Sequence, residues 1–315
     1  MQDRERSRTS VTSVIVRTPA KVNLHLGVGS ARSDGFHELV NVFQAVSLTD
    51  DLTARPADEP GVTLSVLGEH IRGVPTDRRN LAVRAVHALA KHAGVPADVS
   101  LQLRKQIPVA GGMAGGSADA AAALVACDAL WGTRAARYDL HEVAASLGAD
   151  VPFALVGGTA VGRGMGERLT PALVRGEFHW VFAVAGSGLS TVKVYGEWDR
   201  MVDGTAPVHP PEPEALMSAL AAGDEVALGR ALHNDLQPAA ISLRPTLRRT
   251  LAAGKELGAI GALVSGSGPT CAFLAHSADH AVDLAVELAS AGVCKVVRRA
   301  RGPVPGARVV DAAAA

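Results

Sequence analysis

The stretch IPVAGGMAGGSADAAAALVACDAL, residues 107–130, joins the end of an extended segment to four glycines and then to an alanine-rich helical pattern. Glycines permit positive φ angles and let backbone N–H groups approach a ligand closely, and the first turn of a helix has donors without an internal partner. Ser117 follows the last glycine and is the predicted N-cap of a helix over 117–131. This order predicts an anion-binding loop, whose several amides suit a polyphosphate better than a single carboxylate.

A glycine-rich turn that only lets a small-residue helix pack closely is the simpler interpretation, and it would suffice for one pair of glycines. Four glycines followed by a candidate cap favour phosphate. Two common nucleotide loops are excluded by spacing, because the only Gly-Lys pair, Gly254-Lys255, is followed by Glu, and the pattern GxGxxG does not occur.

The composition narrows the classes of function around this loop. The 315 residues are 48% hydrophobic with a mean hydropathy of +0.18, which provides core for one large domain or two ordinary ones. The 31 basic residues balance 31 acidic ones and aromatics are 3%, so neither charge nor stacking surface indicates nucleic-acid binding. No apolar stretch approaches the roughly 18 residues of a spanning helix, and the first ten residues are charged. We therefore expect a cytoplasmic protein that binds neither nucleic acid nor membrane.

Strand and helix patterns come in runs rather than in strict alternation. Residues 14–28 alternate like a strand that carries Lys21 and Asn23 on its polar face. A second extended run begins at Val99 and leads into the glycine loop, and two short strands flank SGSGPT, residues 265–270. This arrangement predicts an α+β fold.

Three segments, in this order along the chain, resemble the motifs of the GHMP small-molecule kinases: PAKVNLHL at 19–26, IPVAGGMAGGSADAAAAL at 107–124 and GALVSGSGPTCAFL at 261–274. Two further segments, SDGFHEL at 33–39 and LGADVPFAL at 147–155, are similar to one branch of that superfamily. That branch phosphorylates an alcohol bearing a cytidine diphosphate in the non-mevalonate route to isoprenoid precursors. The resemblance therefore implies a kinase with ATP as co-substrate, Mg²⁺, and a small-molecule substrate with a cytidine diphosphate moiety.

The resemblance also implies a two-domain fold with the active site in the cleft between the domains. We predict an N-terminal domain over 12–162, a C-terminal domain over 163–304, and flexible tails at 1–11 and 305–315. The motifs do not define the oligomeric state.

The catalytic pair implied by the resemblance is Lys21 and Asp150. Taken alone, Lys21 is more often a solvated surface lysine, and Asp150 more often a turn or cap residue before Pro152. The resemblance assigns the ATP phosphates to the loop residues Pro108, Val109, Ala110, Gly111, Gly112, Met113, Ala114, Gly115, Gly116, Ser117 and Ala118. Ser117 is also a candidate Mg²⁺ contact, although no second metal ligand is evident among the motifs.

At the acceptor end, the resemblance implies that Phe36 stacks on the cytosine ring and that His37 reads its edge. Tyr195 is the candidate second aromatic, with core packing nearly as plausible for it. Asn23 positions the acceptor or a phosphate, or is a structural amide. The third motif, through Ser265, Gly266, Ser267 and Gly268, closes the site opposite the phosphate loop, although a hairpin turn alone explains its glycines.

The sequence departs from the family pattern at two positions of the glycine-rich loop. Ala110 and Ala114 occupy positions where the family often has glycine, which could stiffen the loop.

Two alternative functions remain open. A kinase of the same superfamily that acts on mevalonate, homoserine or a sugar is the first alternative, and SDGFHEL argues against it because those acceptors carry no pyrimidine. A catalytically silent member used as a ligand sensor is the second, and the presence of both Lys21 and Asp150 argues against it.

Overall fold

The protein is described by a computed structural model covering residues 11–33, 35–69, 71, 73–133, 135–203 and 208–314. Within these residues the strands are β1 (Val11–Ala31), β2 (His37–Arg55), β3 (Val62–Gly68), β4 (Val99–Lys105), β5 (Thr159–Gly164), β6 (Arg168–Pro171), β7 (Phe178–Val184), β8 (His233–Asn234), β9 (Gly261–Val264), β10 (Cys271–Ala275), β11 (Val296–Gly302) and β12 (Arg308–Ala314). The helices are α1 (Leu81–Ala93), α2 (Gly115–Trp131), α3 (Arg137–Leu147), α4 (Val151–Val156), α5 (Thr191–Val202), α6 (Glu214–Ala222), α7 (Glu225–Ala231), α8 (Gln237–Leu243), α9 (Thr246–Glu256) and α10 (Ala278–Ser290). The predicted α+β class is confirmed.

The strands form two sheets. The larger has the order β12-β1-β2-β4-β3, with β5 pairing to β2 and β6, and β8 pairing to β1. The smaller has the order β11-β7-β10-β9. β1 and β2 pair antiparallel along nearly their whole length, and this long hairpin is the frame that carries the first motif.

Alternation along β7 explains how the two sheets are joined. Trp180 and Phe182 point into a core shared with β1 and β2, whereas Val181 and Ala183 point into a core covered by α9 and α10. Both sets are fully or almost fully buried. The smaller sheet is therefore packed on both faces, with the larger sheet on one side and helices on the other.

Helix α2 packs with α1, α3 and α4 against one end of the larger sheet. Its run from Ala120 to Ala123 is almost completely buried, because alanine lets the neighbouring backbones come close on every side. The buried alanine-rich helix fixes the position of its own N-terminus, where the glycine loop begins the candidate site.

The C-terminal segment differs from the predicted tail at 305–315. Arg308–Ala314 forms β12, which pairs antiparallel with β1 from Arg17–Arg308 to Val11–Ala314. The described side chains of β12 are exposed, so the strand has no apolar periodicity to detect, and main-chain hydrogen bonds to the edge of β1 hold it. Val11, placed in the N-terminal tail, begins β1, and residues 1–10 lie outside the described part of the chain.

The predicted domain boundary between residues 162 and 163 falls inside β5, which pairs with β2 on one side and β6 on the other. The chain therefore remains in the larger sheet past that point and reaches the smaller sheet only at β7.

Candidate active site

A cleft of about 610 Å³ opens between the glycine-rich loop that joins β4 to α2 and residues of the second half of the chain. This volume suits a small-molecule ligand. The predicted site residues that line it are Lys21, Asn23, Pro108, Val109, Ala110, Gly111, Gly112, Met113, Ala114, Gly115, Gly116, Ser117, Asp150, Tyr195, Gly266 and Ser267. The predicted residues outside this lining are Phe36, His37, Ala118, Ser265 and Gly268.

The loop between β4 and α2 has a strained backbone at two alanines. Ala110 has φ 53° and Ala114 has φ 56°, the left-handed region that favours glycine, and Gly112 has φ 74°. Ala110 is exposed and Val109 is 41% exposed, so solvent and ligands reach the loop. Three left-handed residues within five positions give the irregular course that can turn successive amides towards one anion.

The prediction that Ser117 caps this helix is wrong. Helix α2 begins at Gly115, its N-cap is Ala114, and no side chain caps it. The left-handed Ala114 turns the chain into the helix two residues earlier than the sequence indicated. Ser117 instead lies in the first turn of α2 and lines the cleft, where the unpaired amides of that turn remain free for a ligand.

Lys21 and Asp150 come together at the edge of the loop. The Lys21 Nζ lies 3.9 Å from Asp150 Oδ2, and Asp150 is the residue immediately before α4. The backbone N–H of Lys21 donates to the Met113 carbonyl at 3.3 Å, so β1 holds the glycine-rich loop directly. The interpretation of Lys21 as a solvated surface lysine is wrong, because the residue is 6% exposed.

Burial sets the electrostatics of this pair. Loss of hydration lowers the pKa of Lys21 from its ordinary value, and the negative charge of Asp150 opposes that change. The Lys21 ammonium also donates to Asn23 Oδ1, and Asn23 Nδ2 donates to Asn41 Oδ1 at 2.8 Å. Asn23 is therefore a buried amide that orients the lysine, with Asn41 behind it.

The third motif touches the phosphate loop. Ser265 Oγ donates to the Gly112 carbonyl at 3.2 Å. A Cβ on Gly112 would lie 2.4 Å from the Ser265 carbonyl oxygen, and a Cβ on Gly266 would lie 3.3 Å from Lys21 Nζ. Gly112 is needed because the third motif's backbone leaves no room for a Cβ, and Gly266 because its φ of 57° lies in the left-handed region that favours glycine.

The segment NDLQP, residues 234–238, holds the third motif in place. Asn234 Nδ2 donates to the carbonyls of Val264 at 2.6 Å and Gly266 at 2.8 Å, and Gln237 Oε1 accepts from the Val264 N–H at 2.9 Å. Sequence reasoning gave this segment no role, since an amide that bonds a distant backbone leaves no local pattern.

Two of the predicted acceptor-binding residues, His37 and Tyr195, contact each other, and Tyr195 lines the cleft. His37 opens β2, is 7% exposed, and its ring centroid lies 4.9 Å from that of Tyr195. Tyr195 is partly buried and lines the cleft, and burial raises the pKa of its hydroxyl. Phe36 precedes His37 and is 56% exposed.

A buried charge cluster under the loop was missed by sequence reasoning. The Lys105 Nζ lies 2.5 Å from Asp50 Oδ2 and 2.7 Å from Asp119 Oδ2, and all three side chains are at most 5% exposed. Asp50 Oδ1 also accepts from the N–H of Ile107 at 2.9 Å. Lys105 falls on the inward positions of β4, an alternation that could have indicated its burial.

Burial raises the pKa of Asp119 to about 8, with the Lys105 ammonium opposing that change and the Asp50 carboxylate adding to it. Burial alone would lower the pKa of Lys105, but the two carboxylates hold it above its ordinary value. Asp119 Oδ1 is buried without a hydrogen-bond partner. The cluster therefore holds two carboxyl groups beside a single ammonium, and the raised pKa of Asp119 favours its protonated form.

The described part of the chain has neither a cluster of candidate metal ligands nor a helix able to span a membrane. No group of three or more His, Cys, Asp or Glu side chains is arranged to hold a metal ion. None of its helices combines the length and apolar character that a membrane crossing requires.

Comparisons with known proteins agree with this geometry. Residues 80–158 match the family model "GHMP kinases N terminal domain" and residues 216–294 match "GHMP kinases C terminal". The 4-diphosphocytidyl-2-C-methyl-D-erythritol kinase of Mycolicibacterium gilvum is 57% identical over 303 residues, covering 95% of this chain and 94% of the relative. The protein of the same name from Thermobifida fusca is 58% identical over 308 residues, covering 95% and 99%.

A crystal structure of a 4-(cytidine 5'-diphospho)-2C-methyl-D-erythritol kinase has the same fold. It superposes with a TM-score of 0.73 at 35% sequence identity, covering 91% of this chain and 98% of that one. The similarity thus extends over both family domains and the cleft that they line.

Proposed function

We propose a reaction for this chain from one premise, which is that it belongs to the GHMP kinase family, on the branch of the 4-diphosphocytidyl-2-C-methyl-D-erythritol kinases. The protein transfers the γ-phosphoryl group of ATP to the 2-hydroxyl of 4-diphosphocytidyl-2-C-methyl-D-erythritol. This step belongs to the non-mevalonate route of isoprenoid precursor biosynthesis.

One observation carries the proposal. A buried lysine and a carboxylate 3.9 Å apart, Lys21 and Asp150, line the same cleft as a glycine-rich loop at a helix N-terminus. Phosphoryl transfer needs little covalent chemistry from the protein, so a positioned cation, a carboxylate and an anion cradle supply most of what the reaction requires.

In the proposed step, the acceptor hydroxyl oxygen forms a bond to the γ-phosphorus as the bond to the β–γ bridging oxygen breaks and ADP leaves. Asp150 accepts the hydrogen bond of that hydroxyl, either as the base that takes its proton or as the group that orients it. Lys21 lowers the pKa of the hydroxyl and keeps the Asp150 carboxylate ionised through Coulomb attraction. The bond from Lys21 to Asn23 supports this assignment, because it restricts where the ammonium can point.

The loop from Pro108 to Ala118 is the proposed phosphate-binding segment. Its exposure, its left-handed residues and the free first-turn amides of α2 support contacts to several phosphate oxygens at once. The third motif, across Gly112, supports closure of the site on that side. Asn80, which caps α1 through Ala82 N and lines the cleft, is proposed to border the adenine as well.

Magnesium is proposed to enter with the nucleotide. The residues present fit such an ion, since Ser117 and Asp119 line the cleft and the buried Oδ1 of Asp119 lacks a hydrogen-bond partner. Mg²⁺ keeps several waters and substrate phosphates as ligands, so one or two protein oxygens suffice. When bound, the ion neutralises charge on the β- and γ-phosphates.

The cytosine ring is proposed to bind between Phe36 and Tyr195, with His37 at its edge. Tyr195 lines the cleft and packs against His37, which supports an aromatic site at this end. An exposed phenylalanine next to a buried histidine supports the same arrangement, because a stacking ring must be open before the base arrives.

A coupled assay of ADP release tests the proposal with three acceptors side by side: the cytidylyl methylerythritol, mevalonate and homoserine. We expect turnover with the first acceptor only. Turnover with mevalonate or homoserine instead would favour the rival kinases, and binding of ATP and the cytidylyl compound without ADP release would favour the silent sensor.

A further inference from the structure

His37 is held by one face of helix α5. Its Nε2 lies 2.7 Å from Asp199 Oδ1, and its ring centroid lies 4.9 Å from that of Tyr195 with an angle of 39° between the rings. Tyr195 and Asp199 are four residues apart on α5, so they share a helix face. The helix thus contacts the imidazole twice, once through a ring and once through a carboxylate.

The chemistry of the carboxylate decides which ring nitrogen carries the proton. An ionised carboxylate accepts hydrogen bonds and donates none, so His37 Nε2 must be the donor in this contact. In the neutral imidazole, a proton on Nε2 leaves Nδ1 with a lone pair, and Nδ1 is then a hydrogen-bond acceptor.

We propose that Asp199 is a positioning residue that fixes this tautomer of His37, and that the fixed tautomer makes the acceptor site select cytosine over uracil. The inference rests on the proposed function, because it takes the base beside His37 to be cytosine. Cytosine presents an exocyclic amine, a donor, where uracil presents a carbonyl, an acceptor. An acceptor at Nδ1 bonds the amine and is repelled by the carbonyl.

A purely structural role for Asp199 would predict a loss of stability when the residue is replaced. The Asp199 side chain is 42% exposed, and ion pairs with an exposed partner contribute little to stability. Replacing Asp199 should therefore leave the protein folded, so its effect can be measured on base selection rather than on stability.

The variant Asp199→Asn separates the two roles. An asparagine side chain can donate through its amide to Nε2 as well as accept from it, so both tautomers of His37 become accessible. The conservative variant Asp199→Glu keeps a group that only accepts. Glu197→Gln is the matched control, since it removes one carboxylate from the same helix, and its described partners are Arg200 and Ser242 rather than His37.

The experiment compares kcat/KM for the cytidine acceptor and for its uridine counterpart, together with inhibition by CDP and by UDP. We expect Asp199→Asn to reduce the cytidine preference about tenfold, the loss of one discriminating hydrogen bond to a base. The change should appear in KM and in the inhibition constants, with kcat for the cytidine acceptor within about twofold of wild type. Asp199→Glu and Glu197→Gln should keep the wild-type preference. An unchanged preference in Asp199→Asn would overturn the inference.

The ¹⁵N chemical shifts of the His37 ring in the wild-type protein test the same idea without turnover. We expect the Nε2–H tautomer at neutral pH in wild type and a mixture in Asp199→Asn. The Nδ1–H tautomer or an imidazolium in wild type would overturn the inference. If wild type fails to phosphorylate the cytidine acceptor, the proposed function fails, whereas the ring shifts and the CDP and UDP inhibition still decide the role of Asp199.

Discussion

Lys105 and Asp119 face each other beneath the glycine-rich loop between β4 and α2, with the Lys105 Nζ 2.7 Å from Asp119 Oδ2 and both side chains at most 5% exposed. One residue ends the strand before the loop and the other lies in the second turn of the helix after it. The same ammonium bonds Asp50 on the neighbouring strand β2. A single buried cation therefore fixes both ends of the loop relative to the sheet.

Replacing Lys105 with Met should destabilise the protein by about 3–5 kcal/mol, because two buried carboxylates then lack their cation. Adding Asp119→Leu should recover part of this loss, since one of the two carboxylates is removed. Denaturant unfolding of both variants measures the two free energies. A double variant no more stable than Lys105→Met alone would show that the two residues are not coupled.

The matched control is a surface pair on neighbouring strands. Arg17 bonds Asp51 through two nitrogens at 2.8 Å, and its side chain is 45% exposed. Arg17→Met should cost less than about 1 kcal/mol, because exposed charges remain hydrated whether or not they pair. The contrast between the two substitutions isolates the effect of burial.

The α+β class could be predicted from the runs of strand and helix patterns, and the meeting of Lys21 with the glycine-rich loop from the family resemblance that the motifs carry. Strand β12 was not predicted because it is held by backbone hydrogen bonds at an exposed sheet edge, which leave no periodicity in the side chains. The cluster of Lys105, Asp50 and Asp119 was not predicted because its three residues are far apart in the chain and come together only in the folded protein, where β4 is buried. Ser117 was misplaced as a cap because nothing in the sequence shows that an alanine takes the left-handed conformation.

The left-handed alanines of the loop make a second prediction. Replacing alanine with glycine at such a position stabilises the folded protein by about 1 kcal/mol, because strain is relieved. The greater freedom of glycine in the unfolded chain destabilises the folded protein by about 0.4–1 kcal/mol, so the two effects nearly cancel. Ala110→Gly and Ala114→Gly should therefore leave the free energy of unfolding nearly unchanged or slightly raised. The KM for ATP should rise in the double variant, because the loop becomes more flexible.

Ala129→Gly, in the right-handed interior of α2, is the control for this pair. It should cost about 1 kcal/mol, the ordinary penalty of glycine in a helix. Losses of that size at Ala110 and Ala114 would mean that neither residue is strained.

The exposed ring of Phe36 gives a third prediction. Stacking on a base contributes about 1–3 kcal/mol, so Phe36→Ala should raise the KM for the cytidylyl acceptor about tenfold. The KM for ATP should stay the same, and so should the melting temperature, because the side chain is already 56% exposed. Leu173→Ala, which removes a 75% exposed side chain outside the cleft lining, is the control and should change neither KM. An unchanged acceptor KM in Phe36→Ala would argue against stacking.

A fourth prediction concerns the proposed catalytic pair, Lys21 and Asp150. Lys21→Ala and Asp150→Asn should each lower kcat by about 10²–10⁴-fold, the range that positioned proton-transfer groups contribute. The KM for ATP should change little, since the proposed phosphate contacts come from the loop backbone. ADP release measured on folded protein checks the rates. Near-normal kcat in both variants would rule out the assignment.

The lowered pKa of Lys21 gives a final prediction, with opposite signs for rate and stability. If the ammonium acts in the reaction, kcat should fall as pH rises through the lowered pKa, at a lower pH than the 10.5 of an ordinary lysine. Over the window from that lowered pKa up to 10.5 the unfolded chain binds more protons at this residue than the folded protein does, so the stability contribution of Lys21 should rise. Loss of the Asp150 charge should shift both changes to lower pH, because that charge is what raises the pKa against burial. The pH profiles of kcat and of the unfolding free energy, measured for wild type, Asp150→Asn and Lys21→Met, check this. Lys21→Met should lack the rise in stability, and a rise of the same size in that variant would assign the titration to another group.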